Sequence, residues 1–243
     1  MTLASCDSRK TAGENPFFTE WDTPHGVPPF DKILPEHFMP AFERGMSLHE
    51  AEIDAITSNK DEATFENTIL AYDNAGQMLA QTELVFGMLC AAETNDRMQA
   101  LQEQAMPLLA AHRDKIRLDD KLFVRVKEVY DRRAALGLDA EQMRLLQKTY
   151  DSFVRAGALL DAEQKARLKE INGQLSLTAV KFGNNILAEN NKFVLELKSD
   201  ELDGLPAGIR DAAREKAQQM GKGDKWVFTL HKPSLIPLLT YST

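Results

Sequence analysis

The segment HEAEI (49–53) contains a histidine and a glutamate in the arrangement that begins the zinc-binding signature H-E-x-x-H. That signature needs histidines four residues apart, so that one helix face presents two imidazoles to Zn²⁺ while the glutamate activates water. Ile53 stands where the second histidine would be, and its side chain has no lone pair to donate to a metal. We therefore interpret HEAEI as a solvated turn of a helix.

The remaining histidines do not suggest a metal site either. No two of them stand at metal-ligand spacing on one helix face; the five are His25, His37, His49, His112 and His231. His112 falls on a helix stripe, where a hydrogen-bonded core histidine is the expected role. The sequence also has no G-x-S-x-G, phosphate-binding loop or dinucleotide-binding glycine motif. These residues alone identify no catalytic or metal-binding position.

The two cysteines have different surroundings. Cys90 falls on the apolar stripe of a predicted helix, which favours a buried, inert thiol. Cys6 ends LASC (3–6), which resembles a bacterial lipobox, but the apolar region that precedes a lipobox is absent. One hypothesis is that Cys6 is lipidated and places the protein in the cell envelope or periplasm. The alternative is a disordered terminus with an exposed thiol, and a cytoplasmic location.

Composition narrows the classes of partner. The 243 residues are 43% apolar and 27% charged, which is typical of globular proteins. The net charge of −8 disfavours binding to nucleic acid or to anionic lipid. The longest clear apolar run, LVFGMLCAA (84–92), is too short to span a bilayer. Membrane association is therefore expected only through a lipid anchor.

Hydrophobic periodicity divides the chain into four regions. Residues 1–14 are predicted to be a disordered tether. Residues 15–34 are rich in proline and aromatic residues, which favours an extended strap over the body. Residues 35–190 contain six amphipathic helices, the expected helical body. In residues 191–243 we expect a β element and a further helix.

Start signals and apolar spacing define the helices more closely. Thr64 is a predicted N-cap, and Asp139 and Asp161 each begin a capping box. One helix after Thr64 is expected to run through Gly76, where a partner backbone could approach closely. The residues of later helices expected to face inward include Leu108, and then Leu168, Ile171, Leu175, Phe182 and Ile186.

The pattern changes after the helices. Residues 192–198 and 226–231 alternate apolar and polar side chains, which predicts two short strands. They are expected to pair as a small ribbon of unspecified direction. The sequence thus predicts a mainly α fold with one two-stranded β element.

Longer segments resemble a known family. In order, the chain contains NPFF, PPFDKI, HFMPAFERGM, TFENTILAYDNAG, HRDKIRLDDKLFVRVKEVYDRR, LDAEQMRLLQKTYDSFVRAGALL, RLKEINGQLSLTAVKFGNNIL, LDGLP and WVFTLHKPSLIPLL. Together they resemble the N-terminal portion of the thimet oligopeptidase family of zinc metallopeptidases. NPFF, HRDKI and FVRAGALL are most similar to its peptidyl-dipeptidase (Dcp) members. The resemblance covers about residues 15–243.

The resemblance implies that this chain is a fragment. Family members are longer, and their H-E-x-x-H helix and third zinc ligand, a glutamate, lie beyond the region that this chain resembles. It implies a helical body with a deep channel that admits short peptides, and a zinc-bound water that releases C-terminal dipeptides. This chain would supply channel wall, the missing C-terminal domain would hold the zinc, and the fragment would be inactive. The alternative is a stand-alone helical binding or scaffold module without catalysis.

Overall fold

The computed structural model describes residues 15–242, which form two compact units. The first unit ends at Thr178 and the second begins at Ala179. The boundary falls inside one helix, α7 (Ala162–Lys192). The fold is mainly helical with one two-stranded sheet, as the sequence predicts. Among the described residues, no helix is long and apolar enough to cross a membrane.

The first unit opens with the proline-rich segment. A 3₁₀ turn at Pro16–Phe18 is capped by the Asn15 side chain, whose amide also donates to the backbone oxygen of His37 over 2.8 Å. Phe17 is buried, with its ring centroid 5.3 Å from that of Phe38 in the first long helix. This segment therefore contributes to the core. Phe30 does not, because 43% of its surface remains exposed.

The first long helix, α1 (Phe38–Ser58), packs against the segment after Thr64. Thr64 caps that segment as predicted, by accepting from the backbone N–H of Asn67. The prediction of one continuous helix is wrong. A π-helical turn (Phe65–Leu70) and the short α2 (Ala71–Asp73) are separated from α3 (Gln77–Ala92).

The break between α2 and α3 has a local cause. Gly76 has a φ of 74°, in the left-handed region that favours glycine and that a right-handed helix cannot contain. The atoms nearest to the place where a β-carbon of residue 76 would lie belong to the side chain of His49, and not to a partner backbone.

Three further helices complete the main packing of the first unit: α4 (Asp96–Arg117), α5 (Asp120–Asp131) and α6 (Ala140–Arg155). Both predicted capping boxes, at Asp139 and Asp161, are present before α6 and α7. The prediction that Leu108 faces inward is wrong, since it is 46% exposed, and Leu109 is buried in its place.

The first unit has two apolar clusters. One joins α1 to α5, α6 and the π-helical turn, with the rings of Phe65, Phe123 and Phe153 buried in it. The other joins the proline-rich segment to α1, α3 and α4. Its buried members are Phe17, Ile33, Phe38, Ala41, Phe42, Leu79, Val85, Phe86, Met98, Ala105 and Leu109.

Helix α7 is the largest departure from expectation. Of its five predicted inward residues only Leu168 is partly buried. The other four are exposed: Ile171, Leu175, Phe182 and Ile186. Two polar contacts attach the first part of α7 to the rest of the first unit. Lys165 pairs with Asp120, and Asn172 donates to Asp114.

The second unit contains the sheet. Strands β1 (Leu195–Leu197) and β2 (Trp226–Phe228) pair antiparallel, with Leu195 opposite Phe228. Each is shorter than predicted. Helix α8 (Ala207–Gln219) lies between them in sequence, and α9 (Lys232–Tyr241) follows β2. The core residues of this unit are Leu202, Leu205, Ala213, Phe228 and Leu238.

Candidate functional site

The HEAEI segment lies at the centre of a polar cluster between α1 and α4. His49 Nδ1 is 3.0 Å from His112 Nε2, which is a hydrogen-bond distance. One imidazole donates in this hydrogen bond and the other accepts. The ring centroids are 5.1 Å apart. His112 is buried and His49 is partly buried. The interpretation of HEAEI as a solvated turn is therefore wrong, because His49 points into a helix–helix contact.

Glu50 makes the second contact of this cluster. One of its oxygens accepts from Lys115 Nζ over 2.7 Å, and the other lies 3.5 Å from His112 Nδ1. The hydrogen bond from Lys115 holds the pKa of Glu50 below its usual value, so this carboxylate stays ionised. A carboxylate opposite Nδ1 favours a proton on that nitrogen. His112 Nε2 would then accept from His49 Nδ1–H.

Glu52 and Gly76 extend the cluster to the break between α2 and α3. The backbone N–H of Gly76 donates to Glu52 Oε2 over 2.7 Å. A β-carbon at position 76 would lie 3.0 Å from His49 Nδ1. The left-handed glycine thus serves two purposes, since it turns the chain and leaves room for the imidazole.

The electrostatics of the pair favour neutral imidazoles. Burial lowers the pKa of His49, and the neighbouring His112 lowers it further, against the opposing effect of Glu52 and Glu50. Burial also lowers the pKa of His112, although Glu50 raises it. With both imidazoles neutral, one proton lies in the hydrogen bond between His49 Nδ1 and His112 Nε2.

The cluster is not arranged as a zinc site. Ile53, at the second ligand position of the signature, is buried in the apolar core. His49 is hydrogen-bonded to His112, and Glu50 to Lys115. Over residues 15–242, no three side chains of the metal-ligating types come together in a way that could hold a metal ion.

The predicted cysteine sites fall in two places. Cys6 lies outside the described residues. Cys90 is partly buried and not fully buried as predicted, and burial raises the pKa of its thiol. Cys90 lines a cavity of about 370 Å³ together with Phe86 and Met106, and Glu83 and Arg113 are its charged lining residues.

Sequence reasoning missed the cluster because its two histidines are far apart in the chain. One available signal is that His112 stands on the inward stripe of α4 between Ala105 and Ile116, where a buried polar group needs a partner. That signal predicts a hydrogen-bond partner for His112 but does not identify the residue that provides it. The break at Gly76, which orders Glu52 and His49, was also missed.

Known proteins are similar to this chain over nearly its whole length. Dipeptidyl carboxypeptidase of Escherichia coli (strain K12) is 37% identical over 226 residues, which is 93% of this chain and 33% of that protein. The dipeptidyl carboxypeptidase of Salmonella typhimurium is 35% identical over the same shares. Oligopeptidase A of Escherichia coli is 24% identical over 90% of this chain and 32% of its own length. No family model matches the chain.

The chain matches the N-terminal portion of the thimet oligopeptidase family. It spans about a third of the length of the curated relatives it matches. The thimet oligopeptidase resemblance predicted from the ordered motifs is therefore confirmed, and so is the mainly α fold with one small antiparallel sheet. Within this N-terminal portion, the cluster around His49 is a contact between helices.

Proposed function

We propose that this chain is the channel-wall portion of a zinc-dependent peptidyl-dipeptidase, which removes C-terminal dipeptides from short peptides. The observation that carries this proposal is the 37% identity to a dipeptidyl carboxypeptidase over 93% of the chain. A helical wall around a narrow channel would admit only flexible peptides, because folded proteins cannot enter such a channel.

We propose further that this portion does not hydrolyse peptides by itself. The residues of the signature-like segment make other contacts. His49 is hydrogen-bonded to His112, Glu50 pairs with Lys115, and Ile53 is buried in the core. The zinc ligands would come from the two thirds of the relatives' length that this chain does not match. The contribution of this chain is to shape the space in which the peptide is held.

The test compares the 243-residue chain with the full-length protein that contains it. The substrate is an N-terminally blocked peptide with a free C-terminus, and mass spectrometry identifies the products. The full-length protein should release the C-terminal dipeptide, lose activity with a chelator and regain it with zinc, whereas the chain alone should release nothing. A C-terminally amidated peptide is the matched control, because an enzyme that recognises the terminal carboxylate should cleave it poorly.

Two results would contradict this division of roles. Dipeptide release by the 243-residue chain would place catalysis within it. A full-length protein that binds the peptide and never cleaves it would instead support the helical binding or scaffold module.

We also propose that Cys6 is lipidated and that the protein acts at the cell envelope. The support is the LASC segment alone. Mass spectrometry of the native protein should find an acylated cysteine at its N-terminus. An unmodified N-terminus at Met1 or Thr2 would instead favour the cytoplasmic alternative.

A further inference from the structure

One helix carries a stripe of large apolar side chains that face solvent. Ile171, Leu175, Phe182 and Ile186 of α7 are 43%, 62%, 65% and 46% exposed. At about 100° per residue, these four positions fall within an arc of about 60° on the helix surface. Scattered apolar residues are ordinary on a protein surface, but a continuous stripe along one helix face is typical of an interaction surface.

The first unit uses a different face of α7. Lys165 is buried, pairs with Asp120 and has its Nζ 3.4 Å from the backbone oxygen of Leu118. Asn172 Nδ2 donates to Asp114 Oδ1 over 2.8 Å. These polar contacts and the partly buried Leu168 attach the helix, while the four stripe residues remain exposed in the described part of the chain. One face of the helix thus contacts the first unit, and a different, apolar face is left for a second partner.

We propose that the α7 stripe is the docking surface for the part of the full-length protein that this chain does not contain. The inference rests on the proposed function. The relatives have about twice as much additional polypeptide as the portion matched here, so a large covering surface is available in the same molecule. A second copy is the less favoured occupant, because each copy carries a net charge of −8 and like charges repel.

The chemistry of the stripe defines what the occupant must present. Three aliphatic side chains and one aromatic ring project from the same side of the helix, which suits an apolar helix face or groove and does not suit a charged segment.

Thiol labelling tests this surface without depending on activity. In a background with Cys6 and Cys90 changed to alanine, Leu175→Cys and Phe182→Cys are labelled with a maleimide in the 243-residue chain and in the full-length protein. Lys169→Cys is the matched control, since Lys169 is exposed on the same helix, away from the stripe. Circular dichroism checks that each variant keeps its helical content.

Both stripe cysteines should react readily in the 243-residue chain and about tenfold more slowly in the full-length protein, with little change for Lys169→Cys. Equal rates in the two proteins for the stripe cysteines would overturn the inference. So would protection in the 243-residue chain that grows with its concentration, because that result would assign the stripe to a second copy. An active full-length protein with unprotected cysteines would reject this surface alone, whereas protected cysteines in a protein that releases no dipeptide would reject the proposed function alone.

Discussion

Nδ1 of His49 lies 3.0 Å from Nε2 of His112, and this contact joins α1 to α4 at the edge of the signature-like segment. Each imidazole has a carboxylate of α1 among its neighbours: Glu52 affects His49, and Glu50 affects both. A segment that resembles half of a metal site thus works as a contact between helices. Its pH response and its dependence on Gly76 can be measured.

Stability of the first unit should depend on pH through this pair. The pKa of both histidines is lowered from 6.5 in the fold, so the unfolded chain binds more protons. Their contribution is complete above pH 6.5 and is lost as the pH falls below it, by at most about 1.4 kcal/mol per pH unit for each histidine. His112→Gln should flatten the fall in the free energy of unfolding between about pH 7.5 and 5.5.

Urea unfolding at each pH gives this comparison. The surroundings of the pair include Glu50, Glu52, Glu83 and Lys115. Glu50 should not interfere in that interval, because its pKa lies below 4.5 and its own loss comes at lower pH. His231→Gln, at an exposed position of the second unit, is the control for the substitution itself and should leave the unfolding of the first unit unchanged. An unchanged slope in His112→Gln would show that the pair does not titrate as its burial implies.

Gly76→Ala should destabilise the first unit by about 1–3 kcal/mol, since alanine is strained at a φ of 74° and its β-carbon meets the His49 ring. Gly137→Ala is a matched control, because its φ is 64° and the added methyl group meets open space. Denaturant unfolding should give a larger loss at position 76 than at position 137. Equal losses would mean that only backbone strain matters and that His49 moves aside freely.

Arg125 should be the most costly charged residue to remove from the first unit. It is buried, and its guanidinium donates to the backbone oxygens of Asn59 and Asp61 and to Asn67 Oδ1, at 3.0–3.1 Å. Arg125→Met would remove the donor to each of these three acceptors and should cost about 2–4 kcal/mol in the free energy of unfolding.

The comparison for Arg125→Met is Arg97→Met. Arg97 pairs with Glu36 over 3.0 Å, but both side chains are largely exposed. That substitution should cost less than about 1 kcal/mol. Similar losses for the two variants, measured by urea unfolding, would show that the buried contacts of Arg125 contribute no more than a surface ion pair.

The proline-rich segment should stabilise the first unit through Phe17. Phe17→Ala removes a buried ring beside Phe38 and Trp21 and should cost about 3 kcal/mol. Phe30→Ala, at a partly exposed ring of the same segment, should cost less than about 1 kcal/mol. Thermal unfolding would measure both. A smaller loss for Phe17 than for Phe30 would exclude the segment from the core.

Local signals predicted much of the helical body. The caps at Thr64, Asp139 and Asp161 are hydrogen bonds between residues only three positions apart. A short stretch of sequence therefore contains both partners of each cap. Core positions such as Phe38 and Phe42 follow from the helical period alone. Each of these features depends on a few neighbouring residues.

The wrong or missing predictions concern features that local sequence does not determine, such as which other part of the protein packs against a helix. Periodicity identifies an apolar stripe on α7 but does not say whether the partner is in the same chain, so Phe182 was expected inward. A glycine inside an apolar pattern does not reveal the sign of its φ, so the break at Gly76 was missed. The contact between His49 and His112 needed the relative placement of α1 and α4, which neither helix encodes alone.

The ribbon of the second unit has a consequence for how the protein is made. β1 leaves the ribosome before β2, with all of α8 between them. Until Trp226–Phe228 is synthesised, Leu195 and Leu197 have no strand to pair with, and each strand is only three residues long. Nascent second units should therefore stay unfolded until late in translation and then acquire sheet and core in a single step.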